Sequence, residues 1–287
     1  MTGISAYYLK LLVKTSFSHQ SEVELYDSFS WIINEEEFLA NAEVVCSKLR
    51  AFGYEYVVID FLWYRKNVNG SSVDSYGYDS IDEWGRLVPD PERWPSSTNG
   101  QGFQQVSQKV HEMGLKFGIH LMGGISVESV NNNKTILDVT TGLPYEEGGK
   151  IWYAGDIGLT DMRCAWMKNG FMRVNTDLRA GRAFLRSLYQ QYADWGVDFE
   201  GIKEYVDMYR ITGDVWDNWN DIATHFDVAR NFAAAKEIGA KGLHGNSWPD
   251  LDMLPLGLIT DPGEASCAIE DFDCTLITLR LLIISRS

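Results

Sequence analysis

Apolar runs of four or five residues alternate along this chain with longer stretches of helical periodicity, and that alternation leaves few folds open. Tyr56-Val-Val-Ile-Asp60 is an apolar run closed by a carboxylate, the composition of a parallel strand buried on both faces. Ahead of it Phe38, Leu39, Val44, Val45 and Leu49 recur at helical spacing behind Glu35, Glu36 and Glu37, which predicts a helix over 34–52. The same reading predicts a helix at 103–113 stopped by Gly114, a strand at 116–122, a helix at 178–195 and a strand at 196–199. A strand at 208–213, a helix at 222–238 stopped by Gly239 and a strand at 241–246 follow. Alternating strands and helices imply an α/β fold with a parallel sheet and right-handed crossovers, and this many units favour a (β/α)8 TIM barrel. At 287 residues there is room for one such barrel, which takes about 250, and not for a second large domain.

Composition narrows the partners. Hydrophobic residues make up 45% of the chain, yet no apolar run approaches the ~18 residues of a membrane span, so no membrane partner is expected. A net charge of −15 repels phosphate backbones and argues against nucleic acid. The four cysteines, Cys46, Cys164, Cys267 and Cys274, have no C-x-x-C spacing and imply neither a metal site nor a disulfide framework. Asn69-Gly-Ser71 and Asn133-Lys-Thr135 are glycosylation sequons, while the apolar start is broken by Lys10 and Lys14 and makes a poor signal peptide. Insertions at 62–99 and 123–176, rich in Gly, Asn, Trp and Tyr, follow two predicted strands. Loops at the C-terminal ends of barrel strands are where such folds build their sites.

The first insertion carries Gly85-Arg-Leu-Val-Pro-Asp-Pro-Glu-Arg-Trp-Pro95, and the next helix and strand read Val110-His-Glu-Met-Gly-Leu-Lys-Phe-Gly-Ile-His120. These segments resemble the G-R-L-x-P-D-P-x-R-x-P loop and G-L-K-F-G-I strand of the retaining α-galactosidases, the melibiase-type glycoside hydrolases of family 27. The resemblance covers roughly 26–257, less an internal gap. It implies an enzyme that removes terminal α-D-galactosyl residues, or β-L-arabinopyranosyl residues as in similar members, without metal or organic cofactor. It also implies a secreted, cell-wall or vacuolar location. In Tyr209-Arg-Ile-Thr-Gly-Asp214 it makes Asp214 the acid/base and Arg210 a donor to sugar hydroxyls. Tyr26 becomes the aromatic wall for a sugar face, and Asp60 the first of two adjacent sugar-binding aspartates, the second being Phe61 here. His120 stands where the family often has Tyr, and Trp248-Pro-Asp-Leu-Asp252-Met253 supplies Asp252. Core packing or loop anchoring is the competing role for each, and more so for Trp63, Trp152 and Trp216. A buried Phe61 leaves a sugar hydroxyl unpaired, at a cost of about 1–3 kcal/mol, which favours a pentose lacking the CH2OH arm.

Retaining glycosidases need two carboxyl groups, and here the resemblance departs. The family nucleophile lies in G-V-D-[FL]-[IL]-K-x-D, whereas this chain reads Gly196-Val-Asp-Phe-Glu-Gly-Ile-Lys203-Glu-Tyr-Val-Asp207 and passes straight into the acid/base strand. Lys203 holds the nucleophile's ordinal position, and side chains alternate along a strand, so Glu200 and Asp198 share the wrong face. The expectation is therefore an incomplete barrel over 21–263, without the family's fifth and eighth strands and without a nucleophile. A poorly ordered 1–20 precedes it and a tail at 264–287 unlike the family follows. Catalysis by this chain is in doubt, and a non-catalytic carbohydrate-binding remnant or alternative-transcript product is the competing reading. A phosphate-binding barrel isomerase is disfavoured, because no Gly-rich loop leads into a helix after 241–246.

Overall fold

The computed structural model describes residues 30–198, together with the backbone of four short strands outside that range. In chain order the elements begin β1 (Lys10–Leu11), β2 (Ser21–Glu24), α1 (Glu35–Val44), β3 (Tyr54–Ile59), α2 (Gln104–Glu112) and β4 (Lys116–Ile119). Next come β5 (Ile125–Ser126), α3 (Val127–Asn131), β6 (Leu137–Asp138), β7 (Leu143–Pro144), β8 (Glu146–Glu147), β9 (Lys150–Ile151) and α4 (Ala154–Ile157). The order closes with β10 (Gly158–Arg163), β11 (Phe171–Val174), α5 (Arg179–Asp194), β12 (Met208–Arg210) and β13 (Trp248–Asp250).

The chain falls into two units, one of Met1–Ser28, Ala51–Tyr56 and Phe199–Ser287, the other of Phe29–Arg50 and Val57–Asp198. In the first, β1 and β2 pair antiparallel with Lys10 opposite Glu24. There β12 and β13 pair parallel, with Arg210 opposite Asp250, the orientation that a strand–helix–strand reading requires of segments so far apart in sequence.

In the second unit, the end of β3 and β4 are neighbouring strands. Gly118 lies in this pair because a Cβ there would meet Val58 Cγ2 at 3.0 Å. The helix α1 starts where Asn34 closes a capping box: its Oδ1 accepts from Glu37 N at 3.0 Å while its own N donates to Glu37 Oε2 at 3.1 Å. On α5 the buried positions Ala180, Gly181, Phe184, Ser187, Leu188, Gln191 and Tyr192 recur at three- and four-residue steps, one stripe facing the core. That core is largely aromatic. Phe103 lies 5.2 Å from Trp94, 5.4 Å from Trp63, 5.6 Å from Phe117 and 5.7 Å from Trp195, ring centre to ring centre and edge to face, the arrangement that ring quadrupoles prefer. Gly102 enters this packing at φ +53°, where a Cβ would fall 2.0 Å from the Trp195 ring.

The loop at 85–95 is built into the same core. Arg93 is buried and donates from Nη1 to Trp31 O and Ile33 O, and from Nη2 to Leu62 O and Arg65 O. One guanidinium thus satisfies carbonyls from two separate stretches that no helix or strand pairs. Asp90 stands 3.5 Å from Arg93 Nε, and its carbonyl accepts from Arg93 N and Trp94 N. Burial pulls the Arg93 pKa down to about 10 against the opposing pull of Asp90, still well above neutral, so the side chain enters as a cation.

Three expectations need correction. The helix over 34–52 is α-helical only to Val44; Val45–Leu49 is a π turn and Arg50–Phe52 a 3-10 turn, a widening that accompanies bonds from Cys46 Sγ and Arg50 Nη1 to Met113 O. The described part of the 196–199 strand is a turn and an irregular segment. Gly196 ends α5 at φ +76°, and the Asp198 carboxylate, accepting from Phe117 N at 2.7 Å, occupies a donor that a ladder would use. The 123–176 insertion is more structured than a loop: β10, β11 and β5 form an antiparallel sheet there. The predicted helix at 222–238 and strand at 241–246 lie outside the described residues.

Candidate active site

Asp60 and Phe61 follow directly on β3, and His120 follows directly on β4. Neighbouring strands therefore bring the three together: His120 N donates to Ile59 O at 2.8 Å, and the Phe61 and His120 rings stand 5.8 Å apart. Phe61 N donates to Asp60 Oδ1 at 2.6 Å. Beyond Phe61 the backbone turns sharply at Leu62, a buried residue held at φ +62°, a left-handed conformation that costs a non-glycine residue about 1–2 kcal/mol. Leu62 O accepts from Arg65 N at 2.9 Å and from Arg93, so the buried cation of the 85–95 loop fixes the corner that aims Phe61.

A second buried cation braces the same stretch. Arg65 Nε donates to Asp79 Oδ1 at 2.6 Å, and Asp79 Oδ2 accepts from Ser126 Oγ at 3.0 Å, joining the first insertion to β5. Burial raises the Asp79 pKa, with Arg65 opposing, and burial raises the neighbouring Tyr64 hydroxyl well above its ordinary value. Both groups are buried, and Asp79 is bonded to Arg65 and Ser126, so it braces the insertion.

The second insertion adds an aromatic residue that strand–helix reasoning missed. Trp166 lies 5.8 Å from Phe61, at 65° between ring planes, and is 60% exposed. Nothing in its sequence neighbourhood marks it, since its place depends on Phe61 and on Asn169, whose N and Nδ2 donate to Asp74 at 2.7 and 3.3 Å. Trp63 is buried in the core, its Nε1 donating to His120 O at 2.9 Å, and Trp152 is half-buried with Lys150 Nζ over its ring at 4.6 Å. Asp198 lies by the start of β4, away from His120 at its end. Its Oδ2 takes both Phe117 N and His111 Nε2, each at 2.7 Å. The depression between α2 and α5, bordered by Ser107, His111, Trp195 and Gly196, is on that side too.

Tyr26, Asp214 and Asp252 lie outside the described residues, as do Glu200, Lys203 and Trp216, and Arg210 is described only as backbone of β12. Among the described residues no three His, Cys, Asp or Glu side chains are grouped to hold a metal, and no helix is long and apolar enough to cross a membrane.

Residues 18–269 match the model of the melibiase family described as alpha galactosidase A. The chain belongs to that family. Among its curated relatives, alpha-galactosidase mel1 of Schizosaccharomyces pombe is 24% identical over 257 residues, covering 81% of this chain and 53% of the relative. Human alpha-galactosidase A is 27% identical over 238 residues, covering 78% of this chain and 48% of the relative. The chain thus spans about half the length of these melibiases. Among solved structures it superimposes on a family 27 β-L-arabinopyranosidase of Geobacillus stearothermophilus with a TM-score of 0.73 and 28% identity, covering 93% of this chain and 69% of that one. A variant of that enzyme in complex with arabinose gives a TM-score of 0.73 at 29% identity. The fold is that of the family 27 TIM-barrel enzymes.

Proposed function

We propose that this melibiase-family chain recognises terminal α-D-galactosyl or β-L-arabinopyranosyl groups and, as a retaining glycosidase by descent, hydrolyses them far more slowly than a complete member. The observation that carries the recognition is the meeting of Asp60, Phe61 and His120 at the ends of two neighbouring strands, the place where barrels of this kind hold substrate. In this reading Asp60 accepts from sugar hydroxyls and Phe61 offers an apolar surface where a second aspartate would bind a hydroxyl. The preference for the pentopyranoside rests on Phe61, and the β-L-arabinopyranosidase likeness is consistent with it. By the family pattern of the sequence, we assign Tyr26, Arg210 and Asp252 to sugar binding and Asp214 to protonating the leaving oxygen.

Slow hydrolysis is proposed from the missing partner of Asp214. A retaining displacement needs a carboxylate on the opposite side of the anomeric carbon, about 5–5.5 Å from the acid. Lys203 stands at that place in the sequence, and the interrupted strand there is why we propose an incomplete barrel. Asp198 is a poor substitute, because its carboxylate is bonded to His111 and Phe117 N at the start of β4. The test is turnover of 4-nitrophenyl α-D-galactopyranoside and 4-nitrophenyl β-L-arabinopyranoside by the purified chain, beside binding of the methyl glycosides. Binding with turnover reduced by several orders of magnitude is expected. Turnover equal to that of a complete relative and abolished by Asp214→Asn would show that another carboxylate serves, and absence of binding would sink the recognition itself.

A further inference from the structure

Trp166 is the one exposed tryptophan among the described residues, and it is not loosely held. Cys164 N donates to Phe171 O at 2.9 Å, Gly170 N donates to Met167 O at 3.1 Å, and Met167 is fully buried beside it. With Asn169 tied to Asp74, the loop that carries the indole is held on both sides, and the ring itself rests edge to face on Phe61. A large apolar plane kept in water on a hydrogen-bonded loop is a surface for an apolar face to cover, and a pyranose or aryl ring presents such a face. Its position gives the direction. His120 meets Phe61 at the strand ends, and Trp166 meets Phe61 in turn, so the indole stands one ring further out along the same wall.

We propose that Trp166 is the stacking platform for the leaving group of the bound glycoside, the second sugar or aryl ring beyond the terminal unit. This rests on the glycoside reading of the Asp60, Phe61 and His120 site and adds a second binding position to it. The terminal sugar meets Phe61, and the ring on the far side of the glycosidic oxygen packs on the indole. Trp166 then sets which aglycones bind while contributing little to the terminal unit.

The experiment is calorimetric titration of the full chain, and of its Trp166→Ala and Trp166→Phe variants, with methyl and 4-nitrophenyl β-L-arabinopyranoside and the matching α-D-galactosides. The exposed position makes both variants compatible with folding. The parent is expected to bind the nitrophenyl glycosides about three- to tenfold more tightly than the methyl ones, the worth of one offset aromatic contact. Trp166→Ala removes that difference and leaves the methyl glycosides within about twofold, while Trp166→Phe keeps most of it. An alanine variant that retains the aryl advantage, or loses methyl and aryl binding equally, overturns the proposal; so does a phenylalanine variant as impaired as alanine. If the parent binds no methyl glycoside, the underlying site reading fails and the platform with it, whereas methyl binding without a Trp166-dependent aryl advantage refutes the platform alone.

Discussion

Replacing Arg93 with alanine tests whether the 85–95 loop is a structural clamp. The side chain is 6% exposed and donates to four carbonyls, of which those of Ile33, Leu62 and Arg65 are bonded in buried surroundings. Leu62 O keeps its bond from Arg65 N, so the change strands the Ile33 and Arg65 carbonyls, which at about 1.5 kcal/mol each costs about 3 kcal/mol. The carboxylate of Asp90, 1% exposed and 3.5 Å from Arg93 Nε, loses its counter-ion as well. That brings the total to about 4–5 kcal/mol, a large share of the 5–15 kcal/mol that separates typical folded and unfolded chains. Urea unfolding followed by far-ultraviolet circular dichroism and by tryptophan fluorescence reads the loss. With a slope of roughly 3 kcal/mol per molar, the midpoint falls by about 1.5 M. Arg93→Lys, with one ammonium where the guanidinium fork served two directions, loses about half as much. Adding Asp90→Asn to Arg93→Ala recovers part of the loss, because it removes the stranded charge. A midpoint shift below about 0.3 M for Arg93→Ala would falsify the clamp, since it would mean that water or neighbouring groups satisfy those carbonyls unaided.

Other positions give further tests. Gly102→Ala places a methyl group against the Trp195 ring at a positive φ and is expected to destabilise by about 2–3 kcal/mol, seen as a lower thermal midpoint; an unchanged midpoint would contradict the packing. Asp156 has its pKa lowered by the Lys150 hydrogen bond, and its carboxylate also accepts from Tyr153 N at the start of α4. A depressed folded-state pKa gives stability that is present above the ordinary aspartate range and is lost as pH falls through the lowered value. The acid limb of a stability–pH curve should therefore be shallower in Asp156→Asn, and an identical limb refutes the linkage. Phe61→Asp restores a hydroxyl partner and is expected to shift relative affinity toward methyl α-D-galactoside over methyl β-L-arabinopyranoside by about five- to a hundredfold, read by calorimetry. No shift would remove Phe61 as the basis of pentose preference.

The elements whose cause is local were legible in the sequence. The apolar run of β3 and the Gly114 helix stop sit close to where their residue types place them, the glycine at positive φ. Asp60 and His120 follow directly on β3 and β4, and His120 N reaches Ile59 O, because neighbouring strands align their ends. The sheet of β5, β10 and β11 was not legible: β5 is two residues long, and four of the six β10 residues are exposed, so no alternation marks the strands. The π turn after α1 likewise has no local signature, and its bonded partner Met113 lies far along the chain. Trp166 was missed for the same reason. Its role is set by Phe61 and Asp74, about a hundred residues away, and a lone Trp between polar residues reads as loop.

The burial of Arg93, Asp90 and Trp94 bears on how such chains are recognised. The segment that most plainly marks the family holds backbone carbonyls and fills the aromatic core, and none of those three side chains meets a substrate in the proposed site. Pressure to fold is therefore enough to maintain it, with or without turnover. A gene copy released from catalytic duty can keep this loop for as long as its product must stay folded, while the carboxylate pair drifts. Surveys that count enzymes by this loop will gather silent copies along with working ones, and a requirement for the K-x-D segment would separate them.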